Sequence, residues 1–192
     1  MSDVRAVRTW LDQAARVVAA VDADAVVAAV RALGEVRSRG GTIFVAGNGG
    51  SASTASHFAL DLQKAARLNG RPIRAVSLSD NVGLITAWAN DEDFDRVFAE
   101  QLVALAEPED ALVIFSVSGS SPNLIAALEV ARERGLTTVG FLGGDGGRAR
   151  ALVDHAVIVP SADYGWVESA HLVLEHVVTY ALRQAVTAAA AD

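Results

Sequence analysis

At 192 residues and a net charge of −7, the chain has the length of one domain with a sizeable core, and it lacks the clustered Lys and Arg that a nucleic-acid backbone requires. Hydrophobic residues make up 52% and the mean hydropathy is +0.31, yet no apolar run reaches the roughly 18 residues needed to span a bilayer, so the surplus apolar surface is assigned to subunit contacts. With no cysteines, and an amphipathic start of mixed charge in place of a basic-then-apolar leader, the sequence predicts a cytoplasmic protein with neither nucleic-acid nor membrane partners.

From Val4 to about Arg37, apolar residues recur at helical spacing, through Val4, Val7, Leu11, Ala14 and Val18 and again through Val26, Val27, Val30 and Leu33. This predicts two helices ahead of a sheet. After Gly40 and Gly41 come five short β-rich runs, at 42–46, 73–78, 111–115, 137–141 and 156–159. Between them the pattern predicts helices at 51–67, 82–89, 94–105 and 122–133 and a short one around Arg148. The alternation implies an α/β domain with a parallel sheet covered on both faces, a single unit over residues 1–192 with a helical segment at 1–37 and the sheet core and last helix at 40–182. That last helix is expected from about Trp166 into an Ala-rich tail, Val186 to Ala191, which is low in complexity and predicted to fray.

Two of the strand-to-helix junctions share a chemistry. Ile43 to Ala46 runs into Gly47, Asn48, Gly49, Gly50 and Ser51, and Leu112 to Phe115 runs into Ser116, Val117, Ser118, Gly119, Ser120 and Ser121, with Pro122 suited to a first helical turn. Each junction delivers a helix N-terminus, with its unpaired N–H groups, to the carboxyl edge of a parallel sheet, where such folds bind ligands. Serine hydroxyls add donors without charge, which suits a phosphate held by an acidic protein. Either cluster alone reads equally well as a plain turn; two on two strands favour an anion site. Neither ends in the Lys-Ser/Thr pair of a nucleotide-binding loop, the glycine spacing is not that of a dinucleotide fingerprint, and no nucleophile-elbow pattern is present.

The stretches GNGGSASTASHFALDL, LSDNVGLITAWANDEDFDRVFAEQL, FSVSGSSPNLIAAL and VESAHLVLEH stand in that order over roughly residues 40 to 182. They resemble the sugar isomerase (SIS) domain family, and within it the phosphoheptose isomerases that convert sedoheptulose 7-phosphate to D-glycero-D-manno-heptose 7-phosphate for nucleotide-activated heptose synthesis. The resemblance implies a three-layer α/β fold on a five-stranded, flavodoxin-like parallel sheet, a homotetramer, and active sites shared between subunits. It places Ser116, Ser118 and Ser121, with Val117, on the sugar phosphate, and Asn48, Gly50 and Ser51 on the sugar. Asn90 and Asp91 match an Asn-Asp pair that lines the pocket, although the same two residues read equally as a helix cap and an acidic first turn.

Aldose–ketose isomerisation through an enediol needs a base near carbon and an acid near oxygen. His57 and Asp61 stand four apart on the helix after the glycine loop, hence on one face. Glu168 and His176 belong to the last helix. The resemblance implies Asp61 as base, His176 as acid, and His57, Asp61, Glu168 and His176 as ligands of Zn2+ or another divalent ion, with Glu168 also on the sugar. The chain departs from the family at two of these, Asp61 standing for a glutamate and Glu168 for a glutamine. Moreover, Glu168 and His176 would lie about 12 Å apart along an ideal helix, so either Glu168 sits in an irregular helix entrance or only one of them binds the ion. His171 and Glu175 read as an ordinary helical pair, and His155 as a strand-end surface residue. Alternatives are a non-catalytic SIS protein of the replication-initiator-associating type, disfavoured because His57, Asp61 and His176 are kept, and an isomerase of another phosphosugar, which the Lys64-Ala65 departure leaves open.

Overall fold

The computed structural model describes residues 3–64 and 73–189. Helices α1 (Val4–Ala19) and α2 (Ala23–Ser38) each begin at an aspartate, Asp3 and Asp22, whose carboxylate accepts from the backbone two residues on and so satisfies one unpaired helix donor. The chain then alternates: β1 (Thr42–Gly47), α3 (Gly50–Lys64), β2 (Arg74–Ser77), α4 (Val82–Asp91), a 3-10 turn at Phe94–Arg96, α5 (Ala99–Leu105), β3 (Ala111–Ser116), α6 (Pro122–Glu133), β4 (Thr137–Gly143), a 3-10 turn at Arg148–Ala151, β5 (His155–Val159) and α7 (Tyr164–Ala189). All strand pairs are parallel, in the order β2-β1-β3-β4-β5.

Because side chains alternate across a strand, the apolar runs feed two separate cores. Ile43, Val45, Val113, Phe115, Val139 and Phe141 meet Leu33 and Val36 of α2, Phe58 and Leu62 of α3 and Val167, Leu174 and Val178 of α7. Phe44, Ala46, Leu112, Ile114 and Leu142 meet Leu102 of α5 and Leu124, Ile125 and Leu128 of α6. Phe115 stacks on Phe141 at 4.9 Å and stands edge-on to Phe58 at 5.9 Å, all three fully buried, so this triad anchors the face that carries α3 and α7. By contrast α1 buries no residue; Val4, Val7, Trp10 and Leu11 leave an apolar stripe exposed.

The helix expected over 94–105 is interrupted. Asp93 caps the 3-10 turn, and at the break the Gln101 amide, buried, donates to the carbonyls of Val97 (2.8 Å) and Leu78 (3.0 Å). Burying Val97, Phe98 and Leu102 together against the sheet outweighs continuity of the helix here, a tertiary demand that periodicity does not register. The helix expected over 51–67 begins at Gly50 and is described to Lys64; residues 65–67, with the Ala65 of the substrate-pattern departure, and the end of the Ala-rich tail lie outside the described residues.

Candidate active site

The strand order reverses between β1 and β3, which pair with Gly47 opposite Phe115, so the glycine loop and the serine loop leave neighbouring strands toward opposite faces of the sheet. That is the crevice in which open α/β sheets bind ligands. Two amide hydrogen bonds tie the loops together: Asn48 donates to Asn123 and Asn123 donates to Asn48, each at 2.9 Å, with Asn123 all but inaccessible. A small recess of about 80 Å³ opens among Asn48, Ser51, Ser116, Ser118, Ser121 and Glu168, floored by Phe115 and Leu124 and edged by Val117 and Tyr164. The sequence-derived loop residues thus converge on one point.

Backbone chemistry explains the shape of the serine loop. Ser116 accepts from the Gly119 N–H (3.0 Å) and Ser118 from the Ser120 N–H (3.2 Å), so their O–H groups remain available to donate. Ser121 is the N-cap of α6 in extended conformation, but its hydroxyl makes no capping bond, and Pro122 presets the first helical turn. An anion at this helix start therefore meets hydroxyl donors and the positive dipole end together. Gly119 has φ +59°, and a Cβ there would stand 2.0 Å from the Gly146 carbonyl oxygen, so only glycine closes the loop. On the other side, a Cβ at Gly50 would meet the Glu168 carboxylate at 2.4–2.6 Å: Glu168 lies directly over the amino end of α3.

Helix α3 carries His57 and Asp61 away from the recess along one face, toward α7. There the His57 and His176 rings stand edge to face at 5.0 Å, and His176 Nε2 is 3.8 Å from Asp61 Oδ2. His176 Nδ1 lies 2.8 Å from the Leu172 carbonyl oxygen, so this nitrogen carries the proton and donates it. The lone pair of the neutral ring is then at Nε2; protonated, the same Nε2 presents an acidic N–H. A cleft of about 370 Å³ along Gly50, Ser53, Thr54, His57, Glu168 and Leu172 connects the recess with this cluster. A larger concavity, about 700 Å³, opens at the amino ends of β1 and β2, among Thr42, Phe44, Arg74 and Leu105, away from both loops and from the titratable groups of α3 and α7.

The titratable cluster is composed differently from the sequence expectation. His57, Asp61, Glu175 and His176 bring one ligating atom each within 4.8 Å of one another, and Glu168 is not among them. The reason is helical geometry: on regular α7, Glu168 lies about 12 Å short of His176 along the axis, whereas Glu175 adjoins it. Glu175 and its neighbour one turn back, His171, are both wholly inaccessible. Burial lowers His171 to about 4, and neither ring nitrogen has a partner. Glu175 is pushed up to about 7, first by burial, with His176 opposing and the Asp61 carboxylate adding to the rise. Its Oε1 lies 3.4 Å from His57 Nδ1 and 3.3 Å from His176 Nδ1, within ion-pair distance but without hydrogen-bond alignment.

Two imidazoles and two carboxylates suit a divalent ion, and the buried carboxylate oxygens that no donor satisfies are the observation that fits one. Asn90 and Asp91 stand apart. They end α4, exposed, Asn90 donating to Asp91 at 2.7 Å, and the cap of the following turn is Asp93. Within one chain they do not reach the recess. Asn123, Tyr164 and Glu175 have no place in the sequence-derived site. Tyr164 had a faint signal, since Tyr164, Glu168, Leu172 and His176 follow at four-residue spacing on one face of α7.

Fold and site together define a sugar-isomerase type of α/β domain, with paired anion-binding loops at the switch point of the sheet and a His/carboxylate cluster beside them. The SIS domain profile matches residues 9–143. The phosphoheptose isomerase of Pelobacter propionicus is 42% identical over 144 residues, 75% of this chain and 76% of that protein, and that of Helicobacter pylori 40% identical over 149 residues, 78% of each. Among solved structures, the phosphoheptose isomerase of Neisseria gonorrhoeae superposes with a TM-score of 0.87 at 30% identity over 94% of this chain and 98% of that one, and that of Francisella tularensis with 0.88 at 26% identity over 96% and 100%. The chain belongs to the SIS domain family, among the phosphoheptose isomerases.

Proposed function

We propose that the chain is an intramolecular aldose–ketose isomerase that interconverts sedoheptulose 7-phosphate and D-glycero-D-manno-heptose 7-phosphate. The observation that carries this is the joining of the serine-loop recess to the His57/Asp61/His176 cluster by a single cleft along α3 and α7. Ser116, Ser118 and Ser121 donate to the phosphate at the start of α6. Asn48, Gly50, Ser51, Val117 and Glu168 line the sugar chain behind it. An extended seven-carbon sugar phosphate with carbon–carbon bonds of ~1.5 Å spans roughly 10 Å. Glu168, at the recess, and His176, at the cluster, are separated by about 12 Å of helix axis, so a sugar of this length matches the distance and a triose falls short.

Asp61 removes a proton from C1 of the ketose and returns it to C2, while His176 Nε2–H donates its proton to the C2 carbonyl oxygen and then takes the proton of the C1 hydroxyl. A divalent ion, Zn2+ foremost, held by His57, Asp61 and His176 would take the place of the Nε2 proton and supply Lewis-acid polarisation of the same oxygens. A homotetramer is supported by the exposed stripe of Val4, Val7, Trp10 and Leu11 on α1 and by Leu172, Val177 and Tyr180 on α7. In such an assembly Asn90 and Asp91, remote from the recess of their own chain, would serve a neighbour's. Cytoplasmic location agrees with the finding that, among the described residues, no helix is long and apolar enough to cross a membrane.

The test is NMR of purified protein with sedoheptulose 7-phosphate, with and without added zinc. Aldose signals growing at the expense of ketose support the reading; an unchanged ketose under both conditions rejects it.

A further inference from the structure

The family pattern supplies one glutamate and one glutamine to the metal set, and this chain alters both, to Asp61 and Glu168. Each change alone weakens a site. Asp61 is a methylene shorter, which draws its carboxylate back toward α3 by ~1.5 Å. Glu168 is turned away, its carboxylate lying against Gly50 at the first residue of α3, seven residues before His57. A third residue occupies the space between. Glu175 projects from α7 between the two histidines, 3.4 Å from His57 and 3.3 Å from His176, with its side chain 0% exposed.

An ionised carboxylate without solvent or hydrogen-bond donors is among the most costly groups to bury, and both oxygens of Glu175 lack a donor. The groups within ion-pair distance of it are two imidazoles, one of which already gives its Nδ1 proton to the Leu172 carbonyl. His171, one turn back on the same helix, is itself buried without a partner and brings no compensation. With both carboxylates ionised and both imidazoles neutral, the four groups present a charge of −2, which a divalent cation neutralises.

We infer that Glu175 is a ligand of a divalent transition-metal cation held by His57, Asp61, Glu175 and His176, and that Glu168 lies outside this set. The inference rests on the reading of the cluster as a cation site and changes its composition. All four ligands come from α3 and α7 of one chain, and two carboxylates replace the one carboxylate and one amide of the family pattern. Glu168 is thereby left to the sugar recess, where its carboxylate lies against Gly50 at the amino end of α3.

The experiment is titration of the metal-free full-length chain with Co2+, followed by its visible absorption and by calorimetry, for the wild type, E175Q and E168Q. Cobalt's absorption reports the ligand field independently of catalysis. The wild type is expected to bind one ion per chain. E175Q should bind at least about tenfold more weakly, the cost that loss of even an outer-shell partner carries, and with an altered spectrum. E168Q should keep the wild-type affinity and spectrum. Metal-free E175Q should melt close to the wild-type temperature, since the side chain it replaces makes no hydrogen bond, so weak binding there is not a folding defect. If E175Q binds as the wild type does while E168Q loses the ion, the cation site stands and the assignment of Glu175 is overturned. If the wild type takes up no ion, both the assignment and the cation reading fall, while the isomerase reading is tested separately by its own assay.

Discussion

Replacing Asn123 by alanine cuts the link between the two ligand loops. Asn48 and Asn123 exchange two amide hydrogen bonds of 2.9 Å, each worth about 1 kcal/mol net, and truncation also strands the half-buried Asn48 amide at a further ~1 kcal/mol. The expected loss is therefore about 2–4 kcal/mol, which for a chain of this size lowers the melting temperature by roughly 5–10 °C. Thermal denaturation of N123A, N48A and the double variant measures it. Because the two residues satisfy each other, the double variant should lose little more than either single one, with a coupling of about 1–3 kcal/mol. Substrate KM should rise by about an order of magnitude as the glycine and serine loops lose their fixed spacing, with a smaller change in kcat. Losses that add to within ~0.5 kcal/mol, or a melting shift under about 2 °C, would refute the claim that this pair holds the site together.

Three other outcomes follow from the same geometry. S121A removes a hydroxyl that makes no capping bond, so it should raise KM for the phosphorylated sugar by about tenfold while leaving the melting temperature within ~1 °C, by steady-state kinetics and calorimetry. G119A places a Cβ 2.0 Å from the Gly146 oxygen at φ +59°, and chemical denaturation should show a loss of more than about 2 kcal/mol together with weakened phosphate binding. In the metal-free protein, Glu175 and His171 act on stability in opposite directions. Glu175, raised from 4.5 to about 7, contributes stability that is present below pH 4.5 and lost as pH rises through 7; His171, lowered from 6.5 to about 4, contributes stability present above pH 6.5 and lost as pH falls through 4. The two contributions should thus oppose each other between pH 4.5 and 6.5, and E175Q should lose more stability than the wild type on acidification through that window, as read from denaturation midpoints in chelator.

Much of this architecture was legible from one dimension. The glycine and serine loops announced themselves because turn chemistry is local: the residues that shape a helix N-terminus are consecutive, and two such junctions on β1 and β3 already imply the crevice between them. His57 and Asp61 were legible for a similar reason, four-residue spacing on α3. What was not legible is set by contacts across the sequence. Asn123 gives no local sign that it pairs with Asn48, 75 residues away. Glu175 reads as a helical partner of His171, and only the packing of α7 on α3 turns it toward His57. The break between Arg96 and Ala99 likewise follows from burying Phe98 and Gln101 against the sheet, which a helical periodicity cannot encode. Glu168 was legible as a residue of the site, yet its direction was not, because it depends on Gly50 leaving room for a carboxylate.

The most direct test of the account is the fate of the C1 and C2 protons in D2O. Wild-type protein should convert sedoheptulose 7-phosphate to the aldose with solvent deuterium entering at C2 of the product and C1 of recovered ketose, and D61N should suppress both by at least about 100-fold while still binding the sugar phosphate. Turnover without deuterium entry, or full exchange in D61N, would contradict an enediol mechanism with Asp61 as its base.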